Sequence, residues 1–373
     1  MINDQNENSS LCSRRSFLYG AGSVAAGTLL TGNLFSAEKN QPKIKVGQLG
    51  TGHVHAYKVD TLRKMKDLFE FAGIAEIDSK SRENAMKQEK YKDLPWMSTE
   101  ELLALPGLQA VVVETSEKEN LAAGLQCIRA GKHIHLDKPA GYSLPEYRLL
   151  LDEAKKRNLM VQMGYMLRSN LSIQFCIKAV KEGLLGKIYD IDAAMSRYDE
   201  KSGRKRVAGY PGGSFYLLGC HLIDLAIILK GIPDKIHPFM RKTRSDNCTD
   251  NGLAVFEYSD GCIATLRSSV AEVDGFQERH LIVRGERGTI VVRPMEVGGN
   301  LSAGKVKLAL NEAVKGYKKG YQEIPMPKPK NRYEDQWREF AAVIRGEIVN
   351  PYSYEHDYAV QKCLLESIGL SAD

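Results

Sequence analysis

The sequence predicts an α/β protein: a doubly wound parallel sheet of the Rossmann type, followed by an α+β domain with an open, mostly antiparallel sheet. Two observations support this. Apolar runs alternate with helical patterns from about Lys43 to Tyr165, and apolar runs joined by hairpin-like turns follow after Tyr165. Parallel strands need a crossover helix, whereas antiparallel strands can be joined by a tight turn, so the sheet type changes there.

The first predicted domain covers residues 43–165. It opens with "KIKVGQLG", and its later strands are predicted in "FEFAGIAE", "LQAVVVET", "KHIHLD" and "LMVQMGY". Ser98 and Glu101 have capping-box spacing, as do Ser143 and Glu146, so a helix is expected to begin after each serine. These signals place helices between successive strands, as a doubly wound sheet requires.

The second predicted domain covers residues 166–373. A helix is expected in "LSIQFCIKAVKEG", a strand in "KIYDIDAAMS" and, after a glycine-rich loop, a helix in "GGSFYLLGCHLIDLAIILKG". Asp260-Gly261 and the segment "GERG" separate apolar runs and predict two hairpins. An antiparallel sheet is therefore expected in this half.

Residues 1–37 are similar to a twin-arginine export signal. Arg14 and Arg15 precede a weakly apolar run, Phe17 to Phe35, which four glycines interrupt and which "FSA" closes before a cleavage site after Ala37. The pattern predicts a protein that is periplasmic or otherwise exported, with no integral membrane span in its mature form. Retention of the segment as an uncleaved anchor stays open.

The composition favours a soluble globular protein and argues against a nucleic-acid-binding module or a cysteine-based zinc site. The 373 residues are 43% hydrophobic and 26% charged, which is typical of soluble globular chains. The net charge of +6 is not concentrated in a nucleic-acid module; the basic runs "GRKR" and "KPKNR" are expected to be solvated loops. None of the seven cysteines has C-x-x-C spacing, so buried thiols are expected rather than a zinc or redox pair.

A glycine turn follows the first strand. Gly50 and Gly52 fit the first two positions of a dinucleotide fingerprint, where backbone amides approach a pyrophosphate. The third glycine is missing, and His53 and His55 occupy the next positions. We interpret both histidines as cofactor contacts. A metal site that joins them to His135 or His221 is the alternative, and no metal is expected.

A carboxylate at the end of the second predicted strand bears on the nucleotide. Glu76 lies 24 residues after Gly52, where an acid can bind the ribose hydroxyls and repel a 2′-phosphate. NAD is therefore favoured. Lys80 and Arg82 are near enough in sequence to accept a phosphate, so NADP stays possible.

The chain from residue 43 onward resembles the glucose–fructose oxidoreductase and inositol dehydrogenase (Gfo/Idh/MocA) family. The matching segments, in family order, are "GTGHVHA", "AVVVETS", "AGKHIHLDKPAG", "GYMLR" and "GCHLIDLAIIL". The resemblance implies that Lys138, before Pro139, lies beside the nicotinamide and the substrate hydroxyl. It also implies cofactor contacts from Thr115 and Pro139. Separately, an exposed face of the predicted antiparallel sheet suggests a homo-oligomer formed through that sheet.

Two positions depart from the family pattern. Asp137 replaces the glutamate of the family's glutamate-lysine-proline signature, a small change. Polyol-oxidising members carry an aspartate four residues before the histidine, but here the histidine is His221 and position 217 is Leu217. The familiar lysine, aspartate and histidine trio is therefore incomplete.

The remaining residues suggest roles around a carbinol carbon. His221 is the best candidate base, with Lys138 as the donor to the substrate oxygen. Asp224, three residues after His221, could orient its ring or simply lie at the surface. Tyr165 and Arg168 could bind substrate hydroxyls, although packing at the domain junction explains either equally well.

These features predict an NAD(P)-dependent oxidoreductase that acts on a sugar, sugar acid or cyclitol. Because an exported enzyme meets no pool of free NAD, its cofactor should be tightly bound and its redox cycle closed internally. A glycoside-cleaving enzyme that oxidises, eliminates and re-reduces one sugar is the first alternative, and a non-catalytic sugar sensor is the second.

Overall fold

The computed structural model describes residues 41–297 and 303–370. The predicted export signal lies outside these residues. Two sheets organise the described chain, one of six strands and one of eight. Among the described residues, no helix is both long enough and apolar enough to cross a membrane.

The first sheet is entirely parallel and has the strand order β3-β2-β1-β4-β5-β6. Its strands are β1 (Ile44–Leu49), β2 (Phe69–Ala75), β3 (Trp96–Met97), β4 (Ala110–Val113), β5 (His133–Leu136) and β6 (Val161–Met163). The four residues of β4 are all buried, since helices cover both faces of a parallel sheet. The chain order reverses beside β1, and ligands bind at such a switch point in open α/β sheets.

Helices separate these strands as predicted. They are α1 (Val59–Lys64), α2 (Ser79–Met86), α3 (Thr99–Ala104), α4 (Asn120–Arg129) and α5 (Leu144–Lys156). The capping box at the start of α3 is complete, because Ser98 and Glu101 each bond the other's backbone amide. At α5 only the serine half forms, in which Ser143 accepts from the amide of Glu146.

The second sheet is mostly antiparallel, with the order β14-β13-β12-β11-β7-β10-β9-β8; only its β7–β10 pair is parallel. The strands are β7 (Ile188–Ala194), β8 (Lys235–Arg241), β9 (Asn251–Glu257), β10 (Ile263–Ser269), β11 (His280–Gly285), β12 (Gly288–Val292), β13 (Val306–Leu310) and β14 (Gly320–Ile324). Both predicted hairpins, β9–β10 and β11–β12, are present. The predicted fold class is confirmed.

The helices of this half include four that the sequence analysis did not identify. They are α6 (Leu171–Lys181), α7 (Lys201–Val207), α8 (Cys220–Lys230), α9 (Gly275–Glu278), α10 (Glu334–Ile344) and α11 (Tyr354–Ser367). The four are α7, α9, α10 and α11. Helix α10 packs on the first sheet, where its buried Trp337 lies against Phe69 and His135, and α11 packs on α5 and α8.

One expectation about the basic runs was wrong. The "GRKR" run was expected to be a solvated loop, but it lies in α7, and the buried Arg204 pairs with Asp246 and Asp250. The ion pairs compensate the cost of burying its charge. Six cysteines, Cys127, Cys176, Cys220, Cys248, Cys262 and Cys363, are buried free thiols, as expected.

Candidate active site

Lys138 lies just beyond the carboxyl end of β5, at the edge of the sheet where ligands bind in this architecture. Its side chain is buried, and its Nζ donates a hydrogen bond to the carbonyl oxygen of Leu217 at 3.0 Å. Its backbone amide donates to Oδ1 of Asp137 at 2.7 Å. The Lys138–Pro139 peptide is cis. The backbone amide and the Nζ of Lys138 are thus both held by hydrogen bonds.

The contact with Leu217 brings Lys138 to His221. Leu217 belongs to a π-helical turn, Phe215–Gly219, that runs directly into α8, whose second residue is His221. Burial and then the charge of Lys138 hold the pKa of His221 well below its ordinary value. The imidazole is therefore neutral, and among the described residues its Nδ1 has no hydrogen-bond partner.

The predicted contact between Asp224 and His221 was wrong. The carboxylate of Asp224 accepts two hydrogen bonds from the Nε of Arg168, at 3.2 and 3.0 Å, and one from its Nη2 at 2.7 Å. It also lies 2.8 Å from Nε2 of His356. Helical spacing placed Asp224 on the same side of α8 as His221, but the stronger guanidinium partner comes from another element.

Arg168 and Tyr165 are both buried. The guanidinium of Arg168 also donates to Asp357 at 2.6 Å and stacks over the rings of Tyr165 and Tyr352. Tyr165 is buried, and its ring meets His221 edge to face at 5.8 Å between centroids. These contacts give both residues the packing role that the sequence left open.

A cluster of ionisable groups surrounds Asp137, all of them buried except His55, which is partly exposed. Its Oδ2 lies 2.7 Å from Nδ1 of His53, 3.2 Å from Nδ1 of His55 and 3.0 Å from Nζ of Lys58. Lys58 also lies 3.1 Å from Oε1 of Glu114. We call these five residues the Asp137 cluster.

Lys58 connects the Asp137 cluster to two further buried side chains, His135 and Gln162. Nζ of Lys58 lies 2.8 Å from Nε2 of His135, whose Nδ1 is 2.9 Å from Oε1 of Gln162. His135 is fully buried against Trp337 and does not join His53 and His55. The sequence analysis missed Lys58 and Glu114, although a charged residue directly after the apolar run of β4 was a visible signal at position 114.

Burial and charge set opposite pKa shifts within the cluster. Burial would lower the pKa of His53, but Asp137 and Glu114 raise it to about 9. Burial lowers the pKa of His55 to about 3, against the pull of Asp137. Burial raises the pKa of Glu114, whereas His53 and Lys58 overcome burial and hold that of Asp137 well below its usual range.

A small cavity of about 40 Å³ adjoins this cluster and Lys138. Its wall also includes Tyr210, whose hydroxyl donates to Glu117 at 3.2 Å. The full lining is His53, Val54, His55, Glu117, Lys138, Arg197, Arg206, Tyr210, Leu217 and Leu218. Lysine and imidazole side chains therefore meet at one cavity beside the glycine turn.

The glycine turn fits a dinucleotide. Gly50 has a φ of +94°, and a Cβ there would lie 2.6 Å from the amide nitrogen of Thr115, so the turn needs glycine. Within residues 41–297 and 303–370, the amides of Gly52 and Val54 donate no hydrogen bond. Free amides at the carboxyl edge of a parallel sheet suit a pyrophosphate.

Glu76 and Thr115 flank the turn differently. Oε2 of Glu76 accepts hydrogen bonds from the amide and hydroxyl of Thr51, at 2.6 and 2.7 Å, so the carboxylate lies beside the turn as a ribose ligand should. Thr115 is buried and donates its hydroxyl to Asn120 at 2.8 Å, which leaves its backbone amide and its methyl group facing the turn. The residues present fit a nicotinamide dinucleotide.

Fold and site together define a protein with a dinucleotide-binding Rossmann sheet, a second, mostly antiparallel sheet and a lysine–histidine site beside the first. Two family models match the chain: "Oxidoreductase family, NAD-binding Rossmann fold" over residues 44–165, and "GFO/IDH/MocA C-terminal domain" over residues 173–291. Together they match well over half of the sequence. The chain belongs to the Gfo/Idh/MocA oxidoreductase family.

Curated relatives carry several activities. An oxidoreductase of Schizosaccharomyces pombe is 28% identical over 196 residues, 52% of this chain and 53% of the relative. Myo-inositol 2-dehydrogenase of Thermotoga maritima is 21% identical over 66% of this chain and 74% of its own. The 2,7-anhydro-N-acetylneuraminate hydratase of Escherichia coli is 22% identical over 70% of each. The chain spans only about half the length of several relatives, the first of these among them.

Solved structures share the fold. The UDP-N-acetylglucosamine 3-dehydrogenase of Acidithiobacillus ferrooxidans superposes with a TM-score of 0.71 over 89% of this chain and 99% of its own. The two sequences are 17% identical. The similarity therefore extends over both sheets and concerns the fold.

Proposed function

We propose that the protein is an NAD(P)-dependent oxidoreductase that oxidises or reduces a carbinol carbon of a sugar, sugar acid or cyclitol. The observation that carries this proposal is that Lys138 binds the carbonyl of Leu217, four residues before His221, and its charge acts on His221, beside a glycine turn that fits a dinucleotide. A lysine and a neutral imidazole are what proton handling at such a carbon requires.

In this proposal His221 and Lys138 have different roles at the substrate hydroxyl. A bound nicotinamide supplies the hydride acceptor. The neutral imidazole of His221 takes the hydroxyl proton, and Lys138 donates a hydrogen bond to the same oxygen as it becomes a carbonyl. The carbonyl oxygen of Leu217 holds the Lys138 ammonium, so a backbone atom does part of what an aspartate side chain does in polyol-oxidising relatives.

The proposed cofactor is NAD, held tightly. Glu76 beside the turn favours a ribose with free hydroxyls, and the twin-arginine pattern of residues 1–37 supports export of the folded, loaded protein. Denaturing the purified protein and identifying the released nucleotide tests this directly. Release of NADP, or of no nucleotide from protein isolated from the periplasm, would contradict it.

A second candidate is a redox-neutral enzyme that cleaves a glycoside or hydrates an anhydro-sugar through a transient ketone. Leu217 at the usual aspartate position and the similarity to a hydratase favour it. Incubation with aryl glycosides, following both reduced cofactor and released phenol, separates the two. Release of phenol without added cofactor would support the second candidate.

The second sheet is the proposed surface for self-association. Tyr189 of β7 and Ile263 of β10 are about half exposed, 49% and 46%, on strands that pair with each other. Apolar side chains on an open sheet suit a second copy of the chain. Light scattering of the wild type and of an Ile263→Glu variant tests this, since the variant should have a lower molar mass in solution.

A further inference from the structure

We propose that His53, His55 and Asp137 form a binding site for one divalent transition-metal ion at the edge of the cavity beside Lys138. This reverses the expectation, drawn from the sequence, that no metal is bound. Each of the three residues offers one ligand atom, and these atoms lie within 4.8 Å of one another. The proposal concerns binding and does not depend on the proposed reaction.

The spacing of the atoms is that of ligands around one ion. Zn²⁺ binds imidazole nitrogen and carboxylate oxygen at about 2.0–2.2 Å, so two ligands of one ion lie roughly 3 to 3.5 Å apart. Oδ2 of Asp137 lies 2.7 Å from Nδ1 of His53 and 3.2 Å from Nδ1 of His55. Small movements of the two rings would open this arrangement around an ion.

The charge around the three ligands favours a cation. His53 faces three carboxylates: besides Asp137, its Nδ1 lies 3.5 Å from Oε2 of Glu114 and its Nε2 lies 3.6 Å from Oε1 of Glu117. All three carboxylates are buried. His53 and Lys58 now compensate these buried carboxylates, and a divalent ion could take over this role at Asp137 by replacing the hydrogen bond that joins it to His53.

Lys58 competes with the ion, as does the proton in the hydrogen bond between His53 and Asp137. Its ammonium lies 3.0 Å from the same Oδ2 of Asp137, but it has two further partners, Glu114 and His135, on the side away from the cavity. It can keep these when the carboxylate turns to a metal. The competition predicts moderate affinity rather than the very tight binding of a structural zinc site.

The ligand set indicates which ions fit. Two imidazoles and one carboxylate suit Zn²⁺, Mn²⁺, Fe²⁺ or Co²⁺ better than Mg²⁺ or Ca²⁺, which prefer oxygen ligands. Three protein ligands leave a position for water or a substrate oxygen, as in catalytic zinc sites. Because His53 and His55 line the same cavity as Lys138, that position is accessible to a ligand in the cavity.

The test is metal binding by the full-length protein after dialysis against a chelator. Calorimetric titration with ZnCl₂ and with MnCl₂, and metal analysis after gel filtration, should show one equivalent bound. Substitution with Co²⁺ should give a visible d–d absorption band. Asp137→Asn and His55→Asn should each lower the affinity at least tenfold, the scale on which even supporting residues act.

The matched control removes a histidine–carboxylate pair elsewhere. His237 on β8 is exposed and lies 3.0 Å from Glu257, so His237→Asn measures adventitious surface binding and should leave the stoichiometry unchanged. Circular dichroism and the thermal midpoint in excess chelator report whether each variant is folded. Absence of stoichiometric binding, or equal affinity in folded His55→Asn and wild type, would overturn the proposal.

Discussion

At the scale of single residues, position 217 shows how a missing side chain can be replaced. The sequence has Leu217 where polyol-oxidising relatives carry an aspartate, which suggested a loss of function. The backbone carbonyl of the same residue accepts the hydrogen bond from Lys138. A main-chain oxygen is present whatever the residue type, so the lysine keeps its position without the carboxylate.

Replacement of Lys138 should abolish turnover and leave the fold intact. We expect Lys138→Ala to lower kcat at least a hundredfold, since a positioned proton-transfer or hydrogen-bonding group contributes about 10²–10⁴. Steady-state kinetics with the best sugar substrate measures this. Lys132→Ala is the matched control, because Lys132 also donates to a backbone carbonyl, that of Leu108 at 2.9 Å, near the opposite end of β5. Undiminished function of folded Lys138→Ala would favour the sugar sensor.

Gly50 should tolerate no side chain. Its φ of +94° strains any L-residue, and the added Cβ would meet the amide of Thr115 at 2.6 Å. We expect Gly50→Ala to lower the free energy of unfolding by about 2–4 kcal/mol and to weaken nucleotide binding. Gly131 has a φ of +75° but open space around it, so Gly131→Ala should cost only about 1 kcal/mol. Urea unfolding measures the free energy of unfolding of the two variants. Equal decreases in Gly50→Ala and Gly131→Ala would contradict the steric argument.

At the scale of elements, Arg168 joins three segments that are distant in sequence. It follows β6, and it pairs with Asp224 of α8 and Asp357 of α11. All three side chains are buried. The arrangement connects the first sheet to the helices of the second half.

Loss of Arg168 should therefore destabilise the protein rather than weaken substrate binding. Arg168→Met leaves two buried carboxylates without their cation, which should cost about 3–5 kcal/mol in urea unfolding. Lys155→Ala, which breaks the exposed pair with Glu355, should cost less than about 1 kcal/mol. A stable Arg168→Met variant with a raised KM would instead restore the substrate role suggested by the sequence.

The ion pairs of Arg168 should make the free energy of unfolding depend on pH in the acidic range. Burial alone would raise the pKa of Asp224, but Arg168 and His356 hold it below the ordinary value of 3.8. The folded state therefore keeps Asp224 ionised when the unfolded chain already binds the proton. Its stabilising contribution is complete above about pH 5 and is lost as the pH falls through the folded pKa.

Urea unfolding between pH 5 and pH 3 should show this slope, and Asp224→Asn should reduce it. Asp357, whose pKa is raised by burial, contributes a slope of the opposite sign. The difference between wild type and Asp224→Asn isolates the contribution of Asp224. An identical pH dependence in the two proteins would contradict the assignment.

At the scale of the whole molecule, the carboxyl-terminal helices complete the first half. The side chain of Gln361 on α11 accepts from the amide of Ala140 at 3.2 Å and donates to the carbonyl of Gly141 at 2.6 Å. Trp337 on α10 covers His135 and is fully buried. The segment that follows Lys138 is thus supported from more than 200 residues away.

A fragment of residues 43–165 should consequently not fold independently. It has a complete parallel sheet in sequence, but it would expose the apolar surface that Trp337 covers and leave the Ala140 and Gly141 contacts unmade. Thermal unfolding by circular dichroism should show a cooperative transition for residues 41–373 and none for the fragment. A cooperative transition in the fragment would contradict this and support an autonomous first domain.

The sequence by itself determined the two sheets and the glycine turn, because strand periodicity and turn residues act locally along the chain. It also indicated Lys138, through the proline that follows it, and His221, through the family resemblance, as candidate site residues. It could not determine which charged side chains pair with each other. Asp224 was assigned to its helical neighbour His221, whereas its partner is Arg168. Helices α10 and α11 were missed, and the Asp137 cluster joins residues from three strand ends. Charge pairing between distant segments depends on which strand ends the sheet brings together, and only the tertiary structure decided that.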